Sequence, residues 1–173
     1  MGEPHSGLVL LVDDDADLRR SMRDFLQGSG CAVLEARDAY DGLFMCAQYG
    51  SAINVLVTEL NLLPVGGIKL AENALRLWPT IQVLCTSTDA DMKGVGYWMH
   101  YLNAEYLPKP FSPFHLHEKV FSLMGNRMED ALMPVLDFEP PQREFEPRQI
   151  QERVGTLHPA TNMEDPLFWL KEF

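Results

Sequence analysis

Leu8-Val9-Leu10-Leu11-Val12-Asp13-Asp14-Asp15 is the stretch on which the fold turns. Five consecutive aliphatic residues leave no polar face, so they read as a strand covered on both sides, and three carboxylates stand where that strand would end. Residues 53–57 and 81–85 are nearly continuous apolar segments of the same kind and run into Thr58-Glu59 and Thr86-Ser87. Residues 31–36 and Glu105–Pro108 are shorter and more polar. Pro108 lacks the N–H that a strand paired on both sides needs, so these two read as sheet edges. Stretches of helical period separate the five strands, which predicts βαβ units and a parallel sheet.

The helices are read from their apolar stripes. Leu18, Met22, Phe25 and Leu26 share one face of the first, which Asp15 caps and Gly28 and Gly30 end. Ala39, Leu43, Phe44 and Ala47 form the second stripe; Ile68, Ala71, Leu75 and Trp78 form the third, stopped by Pro79. The fourth carries Met92, Val95, Met99 and Leu102, with Asn103 in the left-handed closing position and Gly94 and Gly96 weakening it. Pro113 opens the fifth, for which Phe114, His117, Phe121 and Met124 are expected inward. His115 and His117 point apart and read as structural.

Composition narrows the function. The chain has 173 residues, 46% hydrophobic and 23% charged, the range of a globular protein with one core. A formal charge of -11 opposes contact with nucleic acid or an anionic membrane, since each approach begins with repulsion. Cys31, Cys46 and Cys85 are too few and too scattered for a disulfide framework or a metal-binding pair, and the reading is of a soluble, cytoplasmic protein. Composition shifts near Gly125-Asn126: residues 126–173 hold six of the 12 prolines, with ten acidic and five basic side chains. The expected division is a domain over residues 1–125 and an acidic, proline-rich tail over 126–173.

In an open parallel α/β sheet, ligands bind where side chains converge beyond the carboxyl ends of the strands. Here those ends carry Asp13, Asp14 and Asp15, then Thr58 and Glu59, then Thr86 and Ser87, then Lys109. Clustered carboxylates point to a hard divalent cation such as magnesium, and a lysine with a hydroxyl points to a phosphoryl group. Cys85, beside Thr86, reads as core packing rather than a nucleophile.

Four segments in order, Val9 to Asp15, Val55-Leu56-Val57-Thr58-Glu59, Leu84-Cys85-Thr86-Ser87 and Tyr106-Leu107-Pro108-Lys109-Pro110-Phe111, together with Gly67 and Pro64, resemble the receiver domain of bacterial two-component response regulators. The resemblance covers residues 1–125 and implies a doubly wound, flavodoxin-like sheet of five parallel strands in the order 2-1-3-4-5, followed by a C-terminal extension. It further implies that Asp13, Asp14 and the acceptor position 59 hold Mg2+ with the backbone carbonyl of Asn61, that Thr86 and Lys109 contact the phosphoryl group, and that Thr86 and Tyr106 form the switch. A sensor histidine kinase or another signalling protein is the implied partner.

The family's phosphoacceptor is an aspartate, and here that position is Glu59. The extra methylene carries the carboxylate about 1.5 Å further, towards Lys109 and Thr86 and away from an in-line donor. The sequence therefore reads as an atypical, stand-alone receiver that is not an enzyme, works by protein contact and is poorly phosphorylated, with Mg2+ binding retained or weakened. The alternative is a phosphorelay receiver that tolerates glutamate. A haloacid-dehalogenase-like phosphatase would match Asp13 and Asp15, but it needs an acidic pair soon after the lysine strand, and the next acid is Glu118.

The partner surface is expected at Tyr97, Trp98 and Tyr101 on the fourth helix, with Phe168 and Trp169 of the tail. Ile150, Val154 and Leu157, and then Leu167 to Phe173, suit short amphipathic segments that dock on the domain, on a second copy in a homodimer, or in a partner's groove.

Overall fold

The computed structural model describes residues 7–63, 65–88 and 94–130, with side chains through 125. The strands are β1 (Leu8–Val12), β2 (Ala32–Ala36), β3 (Ile53–Glu59), β4 (Gln82–Ser87) and β5 (Glu105–Pro108). They alternate with α1 (Ala16–Gly28), α2 (Ala39–Tyr49), α3 (Gly67–Leu77), α4 (Val95–Leu102) and α5 (Pro113–Asp130). All pairings are parallel and the order is β2-β1-β3-β4-β5, so the two short polar strands lie at the edges.

Alternation along β1 divides the core. Leu8, Leu10 and Val12 join Ala39, Cys46, Leu70, Ala71 and Leu102 on one face; Val9 and Leu11 join Met22, Leu26, Leu116 and Val120 on the other. β3 and β4 run further than their apolar runs: Thr58 pairs with Cys85 and Glu59 with Thr86. The ladder thus carries polar side chains to the last buried rung.

Helix ends follow the local chemistry. Asp15 caps α1 by accepting from the Asp17 and Leu18 N–H groups, both at 3.0 Å. Asn103 closes α4 at φ 49°, the left-handed conformation expected of it. Gly94 stands outside α4 as its N-cap, at φ 106°, so it serves the turn and only Gly96 weakens the helix interior. Met92 lies outside the described residues.

Helix faces differ from the sequence reading at several points: in α3 the buried line is Leu70, Ala71 and Ala74, with Ile68, Leu75 and Trp78 half-buried beside it, and Phe25 of α1 is 38% exposed. In α2 the buried positions are Ala39, Gly42 and Cys46, with Leu43 half-buried, because the close approach of Leu70 and Val12 leaves room only for small residues there. In α5 the buried stripe is Leu116, Val120, Leu123 and Met124, while Phe114 is 61% exposed. His117 and Phe121 form a half-buried border, stacked at 4.1 Å with Phe25 edge-on to His117. The aliphatic stripe packs the flat sheet more completely, and the rings cover its margin against α1. α5 itself continues past Gly125-Asn126 to Asp130.

Candidate functional site

The carboxyl ends of β1, β3, β4 and β5 meet on Lys109. Its ammonium lies 2.7 Å from Asp13 Oδ2 and 2.6 Å from Glu59 Oε2, within a site where the side chains of Lys109, Asp13 and Glu59 are only 11%, 1% and 6% exposed. Each remaining oxygen of the two acids also has a donor. Asp13 Oδ1 accepts from the Asp15 N–H and Glu59 Oε1 from the Asn61 N–H, both at 3.0 Å. The Asp13 carbonyl accepts from Arg19 at 2.6 Å.

Burial alone would push the Lys109 ammonium down, but hydrogen bonds to Asp13 and Glu59 outweigh it, and its pKa stands above the ordinary 10.5. Burial also lifts Asp13 above the usual carboxylate range, against the pull of Lys109 and the Asp15 N–H. The two directions differ in cause: burial raises Asp13, whereas the two carboxylates that share the ammonium raise Lys109.

The other expected site residues are placed unevenly. Asp14 is exposed, apart from the lysine bridge, and Asp15 is engaged at the α1 cap. Thr86 is fully buried next to Glu59 on the ladder, and its hydroxyl has no hydrogen-bond partner among the described residues. Tyr106 is half-buried, with its hydroxyl donating to the Ser87 carbonyl at 3.5 Å. On α4, Tyr97 and Tyr101 are 65% and 60% exposed and stack on one another, with Trp98 edge-on to both. Phe168 and Trp169 lie outside the described residues.

The backbone around Glu59 is tightly specified. A Cβ at position 67 would run into the Glu59 carbonyl, so only glycine lets α3 start directly against the end of β3. The peptide between Lys109 and Pro110 is cis.

One contributor was not singled out in the sequence, and a second was named at its strand end without a role. Arg19, six residues after Asp13 and in no motif with the acidic run, ties α1 to the Asp13 carbonyl and to Glu35 of β2. Ser87 accepts from the Asn61 side chain at 3.1 Å, and its carbonyl accepts from the Lys109 N–H at 2.8 Å, so it joins the β3 loop to β5. Its place at a strand end had marked it for the site.

The oxygen donors are of the type that suits a hard cation, but their arrangement does not fit one. No group of three His, Cys, Asp or Glu side chains among the described residues is placed to hold a metal ion. Asp13 and Glu59 close on Lys109 instead, and Asp14 is exposed.

The family model for the response regulator receiver domain matches residues 9–121, well over half of the chain, and the chain belongs to that family. Receiver domains are signalling domains of two-component systems, and this chain carries one. The KDP operon transcriptional regulatory protein KdpE of Escherichia coli K12 is 29% identical over 103 residues, covering 60% of this chain and 44% of that protein's length. Among solved structures, a receiver domain protein from Clostridium thermocellum superposes with a TM-score of 0.68 at 20% identity, covering 72% of this chain and 99% of that one. A CheY-like receiver domain protein from Methanospirillum hungatei JF-1 gives 0.67 at 24% identity, with 73% and 99% covered. These likenesses establish the five-stranded, doubly wound fold.

Proposed function

We propose that this receiver acts by protein contact and is not efficiently phosphorylated, because the acceptor position is closed from within. The single observation behind this reading is the bridge from Lys109 to Glu59 Oε2 at 2.6 Å and to Asp13 Oδ2 at 2.7 Å. A carboxylate that attacks phosphorus needs an oxygen free to approach in line. Glu59 has one oxygen on an ammonium and the other on the Asn61 N–H. A displacement of about 1 Å in such a step costs on the order of a hundredfold in rate, and the added methylene exceeds it.

In this reading Asp13, Glu59 and Lys109 set the conformation of the strand ends, and Thr86 and Tyr106 connect it to the α4 side. Tyr97, Trp98 and Tyr101 then offer an aromatic contact surface to a histidine kinase or another signalling protein, or to a second copy. The negative charge of the chain disfavours nucleic acid and anionic membrane as partners. No described helix is long and apolar enough to cross a membrane.

One observation favours a second reading, that of a working phosphorelay receiver: the buried Thr86 hydroxyl has no partner among the described residues and stands ready for a phosphoryl oxygen. Acetyl phosphate with magnesium, followed by intact mass, separates the two. The proposal expects no gain in the wild-type chain and a gain of one phosphoryl group in Glu59→Asp, which shortens the side chain and frees it from the bridge. Stoichiometric labelling of wild-type Glu59 overturns the proposal.

A further inference from the structure

The acidic strand ends present an electrostatic problem, and the structure solves it with side chains of the chain itself. Every oxygen of Asp13 is engaged: Oδ1 by the Asp15 N–H, Oδ2 by Lys109 and the carbonyl by Arg19. Both carboxylate oxygens of Glu59 are engaged, one by Lys109 and one by the Asn61 N–H. Asp15 receives two N–H groups of α1. Asp14 and the Oδ2 of Asp15 remain in solvent, but Asp15 is held at the α1 cap through its other oxygen, and a surface acid that offers one oxygen binds a divalent ion too weakly to displace its water.

We propose that Lys109 serves as a resident cation, filling between β1 and β3 the role that a divalent metal would otherwise take, so that this receiver is metal-independent. The inference rests on the closed-pocket reading above and deepens it, since it concerns what neutralises the pocket rather than whether phosphorus reaches it. The ammonium spans two acids 46 residues apart in sequence at hydrogen-bonding distance to both. A metal entering there would have to separate the lysine from two buried carboxylates and leave its charge beside its own. Arg19 adds a second fixed positive charge against the Asp13 main chain.

The test is metal binding by the full chain, read by loss of the free Mn2+ resonance and by thermal shift in MgCl2 at constant ionic strength. The wild type is expected to leave the Mn2+ signal unchanged and to melt at the same temperature with and without ~10 mM Mg2+. Lys109→Met is expected to bind Mn2+ at least about tenfold more tightly and to gain several degrees from Mg2+. Lys109→Gln, which keeps an N–H donor and no charge, gives the same comparison if the methionine variant does not fold. Stoichiometric Mn2+ binding by the wild type overturns the inference, and so does a failure of the lysine variants to bind more tightly than it. Wild type that binds metal but stays unlabelled by acetyl phosphate removes this inference alone. Labelled wild type removes the closed-pocket reading.

Discussion

Replacing Lys109 by methionine keeps most of the aliphatic stem and removes the charge that Asp13 and Glu59 share. The three side chains are 11%, 1% and 6% exposed, so the change leaves two carboxylates buried and facing each other. Breaking a buried ion pair from one side costs about 3–5 kcal/mol, and the residual solvent access of the lysine places this case near ~3 kcal/mol. For a chain of this size that is a fall in Tm of roughly 6–12 °C, readable by calorimetry or by urea unfolding followed at Trp78.

The pH profile carries the sign. The pKa of Lys109 is raised by folding, so the stability it contributes is fully present below its ordinary 10.5 and is lost as pH rises through its folded value. The wild type therefore has an alkaline limb of instability that Lys109→Met lacks. The pKa of Asp13 is also raised, and without the lysine it rises further; the variant recovers stability as pH falls from about 7 towards the unfolded value of 3.8. A loss below ~1 kcal/mol near neutrality, the size expected of an exposed pair, refutes the reasoning, as does a variant whose deficit is the same at all pH values.

Other expectations are more local. Gly67→Ala drives a Cβ into the Glu59 carbonyl and lowers the urea unfolding free energy by about 3 kcal/mol, with the chemical shifts of Glu59 and Thr58 moving most. Leu116→Ala, at a fully buried position of α5, costs about 2–5 kcal/mol in the same assay, whereas Phe114→Ala stays within about 0.5 kcal/mol. The three cysteines are buried, and burial pushes Cys31 up to about 11 and Cys46 and Cys85 up to about 12, so a disulfide reagent at neutral pH labels none until the chain is unfolded.

What the sequence discloses of this fold follows from how local each signal is. The aliphatic run of β1 has no polar alternative, and Asp15 and Asn103 act on their own helix ends, so strands and caps are legible from a few residues each. The faces of α2 and α5 depend on what lies opposite. Phe114, His117 and Phe121 make as good a stripe as Leu116, Val120 and Leu123, and only the sheet beneath selects the aliphatic one. The site behaves likewise. Its residues could be named from the strand ends, but the bridge joins positions 96 residues apart, and Arg19 enters by crossing from α1. Nor could the sequence show that Asp14 is exposed while Asp13, its neighbour, is buried.

The central claim is that Lys109 occupies the acidic pocket, and a crystal structure of the full chain grown in magnesium tests it most directly. The account predicts density for the Lys109 ammonium within hydrogen-bonding reach of both Asp13 and Glu59. A magnesium ion coordinated by those two carboxylates, with the lysine withdrawn from them, would contradict it.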